Sequence, residues 1–204
     1  MVRAFVGSGG KTTLIKRQAR QYRAEGKRVF VTTSTHMFIE EDTLLTDDAE
    51  GILRELNRKG WVMAGLPEGK KIKPLSAETY ARVCAQADVV LVEADGARGR
   101  FVKLPAPHEP VIPENAGEIL LVCNLKAVGL PLETAAHRPA LVGQALQKGP
   151  QERLTADDVE ALARRYLARL RQAWPGRPVR LVVRSDGTPE QQARARRMER
   201  EEWQ

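Results

Sequence analysis

Cysteine, histidine, aromatic residues and long apolar runs are all scarce in this chain of 204 residues. Each scarcity removes a class of protein. Two cysteines cannot staple a disulfide framework. Cys84 falls in an expected helix and Cys123 in an expected strand, so both read as small buried apolar side chains. Of three histidines, His108 and His137 sit in proline-flanked loops with no second ligand at a recognisable spacing, which disfavours zinc. No apolar run approaches the ~20 residues of a membrane-spanning helix. Met1-Val2-Arg3 enters the first expected strand at once, without the apolar stretch of a secretory leader, so the expected location is cytoplasmic. Aromatics make up 5% of the chain and no basic stripe is interleaved with them. The net charge of +7 is carried largely by arginines on helix-like segments, such as Arg164, Arg165, Arg194, Arg196 and Arg197. Those segments also hold Asp157, Asp158, Glu160 and Glu199, the mixture of a solvated face. Nucleic acid is disfavoured; an anionic ligand or an acidic partner protein suits the charge better.

What is present is an alternation of short apolar runs with amphipathic stretches. Strands are expected at Val2–Val6, Arg28–Thr33, Trp61–Leu66 (stopped by Pro67 and Gly69), Asp88–Glu93, Glu118–Asn124 and Val179–Val183. Helices are expected from Thr12 to Ala24, Asp47 to Arg58, Ser76 to Ala87 (opened by Ser76-Ala77-Glu78-Thr79 in the manner of a capping box), Leu141 to Leu146, Leu154 to Gln172 and Pro189 to Glu202. Asp88–Glu93 is apolar without alternation after its first residue, the mark of a strand covered on both faces. Arg100 to Pro113 is proline-rich and irregular, as suits a functional loop. The pattern predicts an α/β fold, like that of the P-loop NTPases, with a mostly parallel sheet and helices on both faces. A single domain over residues 1–204 is the expected organisation.

The most specific motif is Gly7-Ser8-Gly9-Gly10-Lys11-Thr12-Thr13, where the first strand hands over to the first helix. Three glycines permit a tight turn that aims backbone N–H groups inward, Lys11 adds a positive charge, and Thr12 offers a hydroxyl to a metal. The loop is shorter than G-x-x-x-x-G-K-[ST], which would place glycine at Phe5. Short loops ending in G-K-T-T occur in nucleotide-dependent ligases. The Val89–Val92 run ends in Glu93-Ala94-Asp95-Gly96-Ala97-Arg98. In a parallel sheet, strand ends hold the ligand. Glu93 and Asp95 therefore read as holders of the Mg²⁺ that a triphosphate carries, and Gly96 as a backbone donor to the terminal phosphate. Arg98, Arg100 and Lys103 are placed to neutralise phosphate charge. Thr32 to His36 supplies further hydroxyls at a strand end. No N-K-x-D base-reading element occurs, and at Arg184-Ser185-Asp186 only Asp186 suits a guanine edge, leaving ATP and GTP both open.

These elements together resemble the YqeC family. The matching runs are Gly-Ser-Gly-Gly-Lys-Thr-Thr at 7–13, Thr-Thr-Ser-Thr-His-Met at 32–37 and Val-Glu-Ala-Asp-Gly-Ala-Arg-Gly at 92–99. Lys-Leu-Pro-Ala-Pro-His-Glu-Pro-Val-Ile-Pro at 103–113 and His-Arg-Pro at 137–139 complete the likeness; the last third matches only loosely. The resemblance implies an accessory factor in selenium cofactor handling for selenium-dependent molybdenum hydroxylases, with such a hydroxylase or a selenium-delivery protein as partner. The expected function is thus Mg²⁺-dependent binding and slow hydrolysis of ATP or GTP. Gly7–Thr13 and Gly96 would hold the phosphates, Thr12, Glu93 and Asp95 the metal, and Lys11, Glu93, Asp95 and Arg98 would act on the reacting groups. Two rivals share that loop: a nucleotide-gated partner binder without catalysis, and a ligase or kinase that activates a small acid.

Overall fold

A computed structural model describes residues 1–185 and 187–200. The chain opens with β1 (Val2–Gly7), α1 (Lys11–Ala24), β2 (Val29–Thr33), β3 (Met37–Phe38) and β4 (Thr43–Leu45). It continues with α2 (Ala49–Lys59), β5 (Trp61–Glu68), β6 (Lys71–Lys73), α3 (Ala77–Gln86), β7 (Val89–Glu93) and β8 (Val102–Lys103). The remainder is β9 (Glu118–Asn124), α4 (Leu132–Ala135), β10 (Ala136–His137), α5 (Pro139–Leu146), α6 (Ala156–Ala173), β11 (Val179–Arg184) and α7 (Pro189–Arg200). Strand pairing is mostly parallel, as the alternating pattern predicts. Contacts group these elements into two compact units. The first comprises Met1–Phe5, Thr12–Gly96 and Val111–Gly117; the second comprises Val6–Lys11, Ala97–Pro110 and the chain from Glu118 onward.

In the first unit β7 lies between β1 and β2, all parallel, in a register that aligns Phe5, Glu93 and Thr33. Every residue of β2 and β7 is buried, which explains their unbroken apolar runs. Phe30, Val62, Ala64, Val90 and Val92 pack with Ile52, Leu53 and Leu56 of α2 and Val83 of α3. Val31 and Met63, which alternate with that set, line a cavity with Ala19 of α1. Helices therefore cover both faces of this sheet. Asp48 caps α2 by accepting from Glu50 N and Gly51 N at 3.0 Å each, and Gly60 closes the helix in the left-handed region.

Two details depart from expectation. β5 does not stop before Pro67 but runs to Glu68, with Pro67 opposite Ile72 of the antiparallel β6. β2 meets β5 only along Trp61–Met63, so at Pro67 no second neighbour needs the missing N–H. The opposite edge of β5 is divided, Met63–Gly65 pairing with β4 in parallel and Leu66–Glu68 with β6 in antiparallel. At α3, Ser76 accepts from Thr79 N, but the Thr79 hydroxyl donates to Asp47 O, so the capping box is one-sided.

In the second unit, β9 is buried at all seven positions and pairs in parallel with β11, from Ile119 opposite Val179 to Asn124 opposite Arg184. α6 presents Val159, Leu162, Ala163, Tyr166, Leu167 and Leu170 as its buried stripe. Thr155 and Asp158 form a reciprocal capping box at its start. β8 and β10 make a two-stranded parallel sheet, Val102 opposite Ala136 and Lys103 opposite His137. α5 starts two residues earlier than its apolar run suggests, at Pro139, after Arg138 adopts a left-handed backbone (φ 59°). α7 is described to Arg200; the end of its expected span lies outside the described residues. Among the described residues no helix is long and apolar enough to cross a membrane.

Candidate functional site

Only Ser8, Gly9 and Gly10 separate β1 from α1, and so tight a link requires backbone that L side chains resist. Gly7, Gly9 and Gly10 have φ of 91°, 77° and 122°. Space is a second constraint. A Cβ on Gly7 would lie 2.1 Å from Val122 O, and one on Gly9 would lie 2.4 Å from the Asn124 Cβ. β9 holds the loop directly: Ser8 N donates to Val122 O at 2.9 Å, and Asn124 Nδ2 donates to Gly9 O at 2.7 Å. Ser8 Oγ donates to Phe101 O at 3.0 Å. Lys11 is 4% exposed, and its Nζ donates to Gly7 O at 2.7 Å. The ammonium is thus seated on the loop's own carbonyl. Asn124 was not among the expected site residues, although its place at the end of a buried strand was a usable cue.

In the first unit the acidic strand end meets the first turn of α1. Thr12 Oγ1 donates to Glu93 Oε2 at 2.8 Å. Glu93 and Asp95 are both buried, Asp95 completely. After β7, Ala94 N still bonds Phe5 O and Val111 N bonds Ala94 O, which fixes the acidic turn between β1 and the returning chain. Gly96 has open space where a Cβ would stand, so no protein atom demands glycine there. Thr13 is exposed.

The hydroxyl run is largely structural. Thr32 Oγ1 donates to Ala64 O and Thr33 Oγ1 to Glu93 O, each at 2.8 Å, and Ser34 Oγ donates to Val111 O at 2.5 Å. Thr35 Oγ1 alone of that run is a buried hydroxyl without a hydrogen-bond partner among the described residues. His36 pairs with Glu68 at 2.7 Å.

The loop after Gly96 belongs to the second unit. Arg98 is exposed with a left-handed backbone (φ 48°), and the Arg100 guanidinium donates to Thr134 O. The Lys103 side chain is fully buried and its Nζ lies 3.0 Å from Glu109 Oε2. Arg138 grips the same carboxylate with both nitrogens, at 2.7 and 2.9 Å. Burial alone would raise the Glu109 carboxyl; the hydrogen bonds from Arg138 and Lys103 overcome this and bring it down to about 2. Desolvation, reinforced by the charges of Arg138 and Lys103, pushes His137 down to about 4. Arg169 of α6 clamps the loop by donating to Pro105 O at 3.0 Å and Ala106 O at 2.9 Å. The Glu109 and Arg138 partnership spans 29 residues and leaves no trace in local pattern.

Asp186, the one residue at 184–186 suited to a guanine edge, lies outside the described residues. The donors of Thr12 and Glu93 are hard oxygens, the type that Mg²⁺ takes. Among the described residues no group of three or more His, Cys, Asp or Glu is placed to hold a metal by itself. An ion at Thr12 and Glu93 would need further oxygens from phosphate and water, so the donor set fits an ion that arrives with a nucleotide.

A family model described as "YqeC protein" matches residues 3–140. A relative from Escherichia coli (strain K12), described as "Uncharacterized protein YqeC", is 30% identical over 173 residues. That alignment covers 79% of this chain and 66% of the relative, slightly under two thirds of its length. No solved structure gives a significant match.

Proposed function

The chain belongs to the YqeC family, and from that premise we propose that it is a Mg²⁺-dependent nucleoside triphosphate-binding protein that hydrolyses ATP or GTP slowly. The observation that carries the reading is the buried Lys11 ammonium at 2.7 Å from Gly7 O, inside a turn of three positive-φ glycines. An ammonium so placed exchanges one oxygen partner for another when phosphate enters. The N–H groups of the turn and of the first turn of α1 would point at the same anion. On this reading the turn is likened to the phosphate loop of P-loop NTPases, and the parallel order of β1, β7 and β2 supports the likeness.

Thr12 and Glu93 would hold Mg²⁺ through their oxygens, and the ion would supply positive charge that offsets the charge of the phosphates. To take that part, the Thr12 hydroxyl would offer its oxygen in place of its present contact with Glu93. Asp95 and Gly96, in the turn after β7, would brace the water shell and donate an N–H to the terminal phosphate. Arg98 would balance charge developing on that phosphate. Among the described residues no side chain stands out as general base, which keeps the nucleotide-gated partner binder open beside slow hydrolysis. The role in maturation of selenium-dependent molybdenum hydroxylases rests on the family resemblance.

The test is the affinity of the intact chain for ATP and GTP with Mg²⁺, compared between wild type and Lys11→Ala. Micromolar binding that falls sharply in the variant supports the assignment. Equal, weak binding in both sinks it.

A further inference from the structure

The first unit holds a cavity of about 390 Å³ between α1 and the link from β3 to β4, lined by neither the glycine turn nor Glu93. Its origin is legible in α1. Lys16, Ala19, Arg20 and Arg23 follow the i, i+3, i+4, i+7 spacing of one helix face, and all four line the cavity. A face turned toward a sheet ordinarily carries large apolar side chains. Here only Ala19 is buried, and its methyl is too short to fill the space over Val31 of β2 and Met63 of β5. Those two buried side chains make an apolar floor, with half-buried Trp61 beside them.

The other wall is acidic, made by Glu40, Glu41 and Asp42 in the link before β4. Lys16 and Glu40 meet at 2.6 Å and bridge the two walls. Arg20 and Arg23, like Glu41 and Asp42, are exposed and make no side-chain hydrogen bond or ion pair among the described residues. Two cations and two anions thus share one apolar hollow without being spent on each other. Thr43 also lines it, and its hydroxyl donates to the Met63 thioether at 3.3 Å, a weak acceptor that a ligand oxygen would displace.

From this geometry we propose that the cavity binds a small zwitterion with an apolar body, of the class of the free amino acids. Arg20, Arg23 and the Thr43 hydroxyl take the carboxylate, Glu41 and Asp42 take the ammonium, and the apolar part lies over Val31, Met63 and Trp61. A volume of about 390 Å³ lies within the range of small-molecule sites. A ligand of one sign would set its charge against one of the walls, whereas a zwitterion satisfies both. None of these residues takes part in the nucleotide reading, so the site stands or falls on its own.

The experiment is calorimetric titration of the intact chain with L-leucine, L-methionine and L-phenylalanine, each beside its deaminated and its decarboxylated analogue. At least one amino acid is expected to bind with a Kd on the order of 1 mM or tighter, and its two analogues about tenfold more weakly or worse. Arg20→Gln and Asp42→Asn, both at exposed positions, should each weaken binding about tenfold. Ala19→Leu, which extends an apolar side chain over the floor, should abolish it. Lys11→Ala should leave it unchanged. Absence of binding by all three amino acids overturns the site. So does an analogue of one sign that matches its parent, or binding indifferent to both Arg20→Gln and Asp42→Asn.

Discussion

Thr12 Oγ1 rests 2.8 Å from Glu93 Oε2, a charge-assisted hydrogen bond between the first turn of α1 and the end of β7. Glu93→Gln retains an acceptor for that hydroxyl but discards the charge. The expected result is near-normal stability with a loss of about tenfold or more in nucleotide affinity when Mg²⁺ is present. In EDTA, the variant and wild type should bind alike. Calorimetric titrations with and without the metal decide it.

Lys11→Ala removes the ammonium proposed to meet phosphate, and charge-assisted hydrogen bonds of that kind are worth about 1.5–3 kcal/mol. Nucleotide affinity should fall roughly 10- to 150-fold by that measure. Lys11→Arg, with a wider head on a 4% exposed side chain, should rescue little. Equilibrium dialysis with labelled ATP and GTP measures both.

Gly7→Ala and Gly96→Ala should part company. At Gly7 the new methyl meets Val122 O at 2.1 Å with φ of 91°, so the strand must shift, and a loss of about 2–4 kcal/mol is expected in urea unfolding. At Gly96 nothing stands within 4 Å, and stability should change by no more than about 0.5 kcal/mol. Any loss of nucleotide affinity at Gly96 then reports ligand approach rather than folding.

Acid should destabilise the protein in two separate windows. His137 is lowered from 6.5 to about 4, so between those values the unfolded chain binds the extra proton and stability falls as pH falls. His137→Gln should flatten that stretch of the stability curve. Glu109 is lowered from 4.5 to about 2, so its contribution is complete above 4.5 and disappears towards 2. Glu109→Gln should remove the second slope and leave the first unless Lys103 and Arg138 relax. Urea midpoints read at successive pH values distinguish the two.

Much of this was legible from residues alone where one interaction type dominated. β9 is read to the residue because seven consecutive buried positions leave only one interpretation. The glycine turn is legible because positive φ and crowding both demand Gly7 and Gly9. The short strands β3, β4, β6, β8 and β10 escape notice, since two or three residues carry no period and exist only through their neighbours. Pro67 misleads for the same reason: whether a strand tolerates proline depends on which edge is paired. At the site, Thr12 and Glu93 were foreseeable as types, but their contact across 81 positions was not. Glu109 and Arg138 fall in runs that carry the family resemblance, but their pairing was hidden, because a buried ion cluster is written in three dimensions only.

One modest feature of the first unit bears on whether a second chain could extend its sheet. The run β5, β6, β3 finishes in strands of three and two residues, with Lys71 and Lys73 on β6. Lys71 lies over the outward Phe38 ring, 4.9 Å from its centre. A margin so brief, charged and roofed gives a foreign strand nowhere to zip. An approaching copy meets two short strands and two lysines at that margin, not a long free edge to extend.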